Sequence, residues 1–161
     1  MRKIIFTALL VYLFFLMEFF LFNMGGRWFM PNLLLLLVIY LNLAFGIRYS
    51  IFAAALAGIF KDSFSTEIFG FNIFAFILCA YLTTVLKRYL HYVASRRSRL
   101  LLVFCVAAIH FTILLCLRLM FSRADVLHSV QFVLVPEILT TLAIASFTFN
   151  QLKKCVLRLF A

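Results

Sequence analysis

Six stretches of almost unbroken apolar residues divide the chain, at approximately 4–22, 29–45, 49–64, 68–86, 100–121 and 130–152. Within each, apolar side chains fall on every face of a helix, which excludes the alternating strands of a membrane β-barrel. A helix rises about 1.5 Å per residue, so crossing a hydrocarbon core of about 30 Å takes roughly 20 residues. The pattern predicts an all-α, polytopic membrane protein built as a six-helix transmembrane bundle. Its third helix is expected to be short, because the uncharged run Tyr49–Phe60 reaches Phe64 only by including Lys61 and Asp62. No polar insertion is longer than Lys87–Arg99, so the chain reads as a single transmembrane domain over 1–161.

Composition agrees with this reading. Hydrophobic residues make up 67% of the chain and charged residues only 12%, against about 45–50% and about 25% in soluble domains. A chain this short has too little polar surface to cover itself in water. The net charge of +10 would otherwise point to nucleic acid, but the basic residues sit mainly at the ends of the apolar runs, where they set topology. Six spans place Arg2, Lys3, Arg48, Lys87, Arg88, Arg96, Arg97, Arg99, Lys153, Lys154 and Arg158 on one side and Arg27, Lys61, Arg118 and Arg123 on the other. The positive-inside rule then puts both termini in the cytoplasm. The first run is longer than a signal-peptide core and lacks an A-x-A site, so it is expected to remain as a span.

Little in the sequence points to chemistry. The four cysteines form no CxxC pair and the three histidines no ligand spacing, so neither a metal nor another cofactor is expected. There is no Walker loop, nucleophile elbow or dinucleotide fingerprint. The five carboxylates look too scattered for an acid/base pair, and the expectation is a protein that is not an enzyme. A membrane enzyme would need Glu18, Asp62, His110 and Glu137 to converge at one depth.

All five acids, Glu18, Asp62, Glu67, Asp125 and Glu137, fall toward the outer half of the expected topology. Glu137 lies about 12 Å along the sixth span and follows Pro136, which frees a helix carbonyl. A carboxylate at that depth is costly unless paired, protonated or wet. It belongs either to an outward-opening polar pocket or, more simply, to a structural pair, for example with Arg118, or to a side chain reaching the interface. Glu18 has the same alternatives. His110 reads as a helix-to-helix hydrogen bond. The basic stretch containing Lys87, Arg88, Arg96, Arg97 and Arg99 reads as a topology determinant held against anionic lipid, or a dock for a cytoplasmic partner.

Ala54, Gly58 and Asp62, four apart, share one face of the third helix. Small residues at this spacing let helix backbones approach closely in a membrane. The seam is expected to pack against helices or a partner and to lead to Asp62 as a polar cap at the outer surface, with Gly70 and Asn72 opening the fourth span.

Gly58-x-x-x-Asp62 followed by Gly70 and Asn72, and preceded by Pro31-Asn32 and the leucine run to Tyr40, resembles the MreD family of bacterial rod shape-determining proteins. The resemblance extends over nearly the whole chain, including the basic loop after the fourth span and the short basic tail. Asn32 stands where many members have Asp, and Thr66, Glu67 and Ile68 stand in a loop more often rich in Gly, Ser and Pro. The resemblance implies a non-enzymatic component of the cell-elongation complex in the bacterial inner membrane. It would bind MreC, join RodA and a class B penicillin-binding protein, connect indirectly to MreB filaments, and help organise peptidoglycan synthesis. The family is also similar in fold to the S components of energy-coupling-factor transporters, so a vitamin-binding S component is the alternative function.

Overall fold

A computed structural model describes residues 2–25, 31–64, 68–89, 96–121 and 135–160. Among these residues the chain is all helical: α1 (Arg2–Gly25), α2 (Leu33–Phe45), α3 (Ile47–Phe64), α4 (Phe71–Tyr89), α5 (Arg96–Phe121) and α6 (Val135–Phe160). Three of the six are long and apolar enough to cross a membrane, within Lys3–Met24, Phe71–Tyr89 and Ser98–Phe121. The basic residues expected in the loop after the fourth span are partly helical: Lys87 and Arg88 end α4, and Arg96 and Arg99 lie in the first turn of α5.

The third helix is short, and α2 is shorter still. It has 13 residues, about 20 Å of rise, whereas α3 has 18, about 27 Å. Every residue of α2 from Leu33 to Asn42 is buried, because α1, α3, α4, α5 and α6 all pack around it. This explains its composition. A helix enclosed on all sides needs apolar residues on every face, and the run of five leucines from Leu33 supplies them. Gly46 ends α2 at φ 89° and ψ −179°, a backbone conformation natural only to glycine, and α3 starts at the next residue.

Polar side chains within the bundle tie neighbouring helices together. Asn42 Nδ2 donates to Ala80 O at 2.7 Å and to Thr84 Oγ1 at 2.9 Å, tying α2 to α4. Ser50 Oγ donates to Val38 O at 3.0 Å, tying α3 to α2. Without water, a backbone carbonyl or side-chain amide left unpaired would cost several kcal/mol.

The seam on α3 faces α4. Ala53, Ala54 and Ala57 are fully enclosed, and a Cβ placed on Gly58 would stand 2.4 Å from Ile73 Cα. The backbones of α3 and α4 therefore meet at Gly58. An aromatic ladder fills the other side of α3: Phe60 lies against Tyr12 and Phe15 of α1, and Phe64 against Phe15 and Phe19.

Candidate functional site

The polar residues gather at the end of the bundle where α1 finishes and α2 begins, in two adjoining centres. The first starts from the four backbone N–H groups that a helix leaves unpaired at its start. At α2, Asn32 is the N-cap and its Oδ1 accepts from Leu35 N at 3.1 Å, while Glu18 Oε2, arriving from α1, accepts from Leu34 N at 3.2 Å. A carboxylate is well placed there, since the helix N-terminus carries partial positive charge. The Asn32 amide donates to Glu137 Oε1 of α6 at 2.7 Å, and Asn32 N donates to Thr141 Oγ1 at 2.9 Å. Lys61 of α3 completes the arrangement, with Nζ 3.0 Å from Glu18 Oε1 and 4.0 Å from Glu137 Oε1.

Four helices thus meet through two carboxylates, one ammonium, one amide and one hydroxyl. The Lys61 and Glu18 side chains are 27% and 19% exposed, and Glu137 is likewise 19%. Below them Lys61 Nζ lies 5.7 Å from the centre of the Phe76 ring, whose other neighbour is His110 of α5 at 5.0 Å. Asn32, His110, Glu137 and Thr141 line a cleft of about 10 Å³, the space of about one water molecule. A pocket for a vitamin-sized ligand would hold roughly 300 Å³ or more.

The second centre is Asp62, one residue after Lys61. Its carboxylate accepts four hydrogen bonds from the start of α4: Gly70 N at 2.9 Å, Asn72 N at 3.1 Å, Asn72 Nδ2 at 2.9 Å and Ile73 N at 3.2 Å. Asp62 is therefore not a surface cap. It is 4% exposed and caps the next helix from across the α3–α4 interface. Gly70, at φ 110°, turns the chain so that successive N–H groups converge on this one side chain. Hydrogen bonds to an ionised acceptor are roughly twice as strong as neutral ones.

Glu18 and Glu137, distant in sequence and expected to be scattered, come together here. The chain brings them together because α1 and α6 both flank the start of α2. Glu137 meets Asn32 and Lys61; the Arg118 side chain, its expected partner, lies outside the described residues, as do those of Arg96, Arg97 and Glu67. Pro31, Asn32, Ala54, Gly58, Asp62 and Asn72 are all buried, and Gly70 is half-buried. Lys87 and Arg88 are exposed at the opposite end, and Lys87 Nζ donates to Leu43 O at 3.3 Å. Two central residues, Lys61 and Thr141, had not stood out in the sequence. The signal for Lys61 was its position: a lone cation inside an apolar run, at the depth of three acids.

Among the described residues, no group of three or more His, Cys, Asp or Glu side chains could hold a metal ion. Chemically, the first centre has two carboxylates engaged by Lys61, Asn32 and a helix N-terminus. The second has one carboxylate engaged by four N–H donors. Each group is placed to hold helices in register.

The apolar helices, the enclosed α2 and this internally matched polar end define a helical membrane protein stiffened by interhelical clamps. A family model described as rod shape-determining protein MreD matches residues 1–152. The chain belongs to the MreD family, whose role is in rod shape determination. Comparison with curated proteins and with solved structures gives no match.

Proposed function

We propose that the chain is a multi-pass protein of the bacterial cytoplasmic membrane, with both termini in the cytoplasm, acting as a non-enzymatic scaffold of the elongation complex. On this reading it binds MreC, stands beside RodA and a class B penicillin-binding protein, and connects indirectly to MreB filaments while helping to organise peptidoglycan synthesis. The observation that carries it is the clamp of Glu18, Lys61, Asn32 and Glu137. The two carboxylates, the ammonium and the Asn32 amide of the clamp are matched to one another, and the cleft beside them has room for about one water. Such a site favours holding a shape over binding a substrate or exchanging protons with one. Family membership supports the place of work, and the separation of the Lys87 and Arg88 end from the Glu18 end supports the orientation.

The partner surface is separate from the Gly58 seam, since α4 already occupies that seam. The test is purification of the tagged full-length chain from native membranes, followed by identification of what comes with it. Retention of MreC is the expected result. If MreC is absent while the protein is folded, or if a tightly bound small solute is found by native mass spectrometry, the scaffold reading fails.

A further inference from the structure

Beside the polar end, α1 and α6 stand apart on either side of α2 and leave a crevice of about 530 Å³ that runs along the bundle from Leu21 and Leu33 to Leu10 and Leu152. Its walls are Leu13, Phe14 and Met17 of α1 and Ile144 and Phe147 of α6, with Leu33 of α2 also lining it. This volume is in the range of a ligand-sized pocket. The lining is almost wholly apolar and rich in long, adaptable side chains, with Ala143 its one small apolar residue. Helix–helix contacts in membranes favour small residues that let backbones approach, as Gly58 does between α3 and α4. The crevice lacks that feature.

One mouth of the crevice opens toward the helix ends whose sequences are basic. Leu10 and Leu152 line the same end. Lys3 Nζ lies 5.7 Å from the centre of the Phe45 ring at the end of α2, and Phe149 packs against Tyr40 about one and a half turns earlier. Arg2 and Lys3 at the start of α1 therefore share a level with Lys153 and Lys154, which follow Leu152 on α6. No acid occurs between Arg2 and Leu10 or between Ala143 and Phe160. Four basic positions at this level of α1 and α6, next to an apolar crevice, suit the headgroup and chain of an acidic lipid.

We propose that the α1–α6 crevice is a binding site for an anionic phospholipid, with an acyl chain against Leu13, Met17 and Phe147 and the phosphate between the Arg2–Lys3 and Lys153–Lys154 ends. This rests on the chain being a membrane protein and not on the identity of its protein partner. A bound lipid fills the space between the two helices and joins them where α1 and α6 make little contact of their own.

The test uses fluorescence quenching by brominated lipid. In a Trp28→Phe background, which removes the single native Trp, Phe147→Trp reports on the crevice, and Phe104→Trp reports on the exposed face of α5. The protein is reconstituted in phosphatidylethanolamine vesicles with graded brominated phosphatidylglycerol or brominated phosphatidylcholine. The F147W reporter is expected to reach half-maximal quenching at about fivefold lower mole fraction of the anionic lipid. F104W is expected to show no preference, and K153Q/K154Q to remove most of the preference at F147W. Leu13→Trp, on the opposite wall, serves as a second reporter where F147W does not fold. Equal quenching by both lipids at the crevice would overturn the proposal. So would a reporter shielded from both lipids by a co-purified polypeptide, which would make the crevice a helix-docking site.

Discussion

Gly58→Ala adds one methyl group where the structure has no room for it. The new Cβ would stand 2.4 Å from Ile73 Cα, 2.7 Å from Ile73 N and 2.9 Å from Ile73 Cγ1, whereas ordinary contact begins at 3.4 Å. Two of these three atoms are backbone, so a change of rotamer cannot relieve the clash. The helices α3 and α4 must separate by about 1 Å, and overpacking of this kind costs about 1–3 kcal/mol. The separation also reaches Asp62, because Ile73 N donates to its Oδ2 at 3.2 Å, and an added ångström takes that bond beyond hydrogen-bonding range. Hydrogen bonds to a charged group are worth about 1.5–3 kcal/mol, which brings the expected loss to about 2.5–6 kcal/mol. The assay is reversible unfolding of the purified protein in mixed micelles by titration with a denaturing detergent, followed by far-UV circular dichroism. Gly46→Ala is the comparison: nothing lies within 4 Å of its Cβ position, and the obstacle is its backbone alone, φ 89° with ψ −179°, a region essentially confined to glycine, for about 1–3 kcal/mol. If Gly58→Ala unfolds within about 0.5 kcal/mol of the parent, the close approach of α3 and α4 is wrong, and with it the account of Asp62.

The polar clamp yields two further predictions. Lys61→Met leaves Glu18 and Glu137 facing each other without their shared cation, and because both are partly exposed the loss is about 1–3 kcal/mol rather than that of a fully buried pair; adding Glu18→Gln is expected to recover part of it in the same unfolding assay, and a further loss on that second change would contradict the pairing. Asn32→Asp replaces the amide donor to Glu137 with a second acid and is expected to cost about 2 kcal/mol. Glu137→Gln should then rescue it, and a double-mutant cycle with a coupling below about 0.5 kcal/mol would show that the two side chains do not interact.

The helices could be read from the sequence because apolar run length is set by the hydrocarbon thickness, and that constraint acts on each segment separately. Their rotation was harder to read. Apolar residues surround α1 and α2 on every side, and with no polar stripe to orient a helix, its facing neighbours leave no periodic trace. Hence Glu18 and Glu137 looked isolated, though Asn32 and Glu137, 105 positions apart, are in direct hydrogen bond. Asp62 was misplaced for a different reason. Its partners lie 8 to 11 residues ahead, beyond the spacing of an N-cap within its own helix. Gly70 and Asn72 stood out as the opening of α4, but nothing local indicates that the previous helix supplies its cap. The shortness of α2 was also hidden, since the apolar run continues through Phe29 and Met30 ahead of Pro31.

The clamp has a consequence for the order in which the chain is made. Synthesis delivers Glu18, then Asn32, then Lys61, and only at the end the helix that carries Glu137 and Thr141. The α3–α4 hairpin can close by itself through Asp62 and Gly58, because both sides of that joint are neighbours in the chain. The junction at the start of α2 stays unfinished until α6 arrives, leaving an amide and a cation with part of their partners missing inside a membrane. A nascent chain truncated before Glu137 would therefore carry a polar defect that the finished protein conceals, and membrane quality control could tell the two apart by that difference alone.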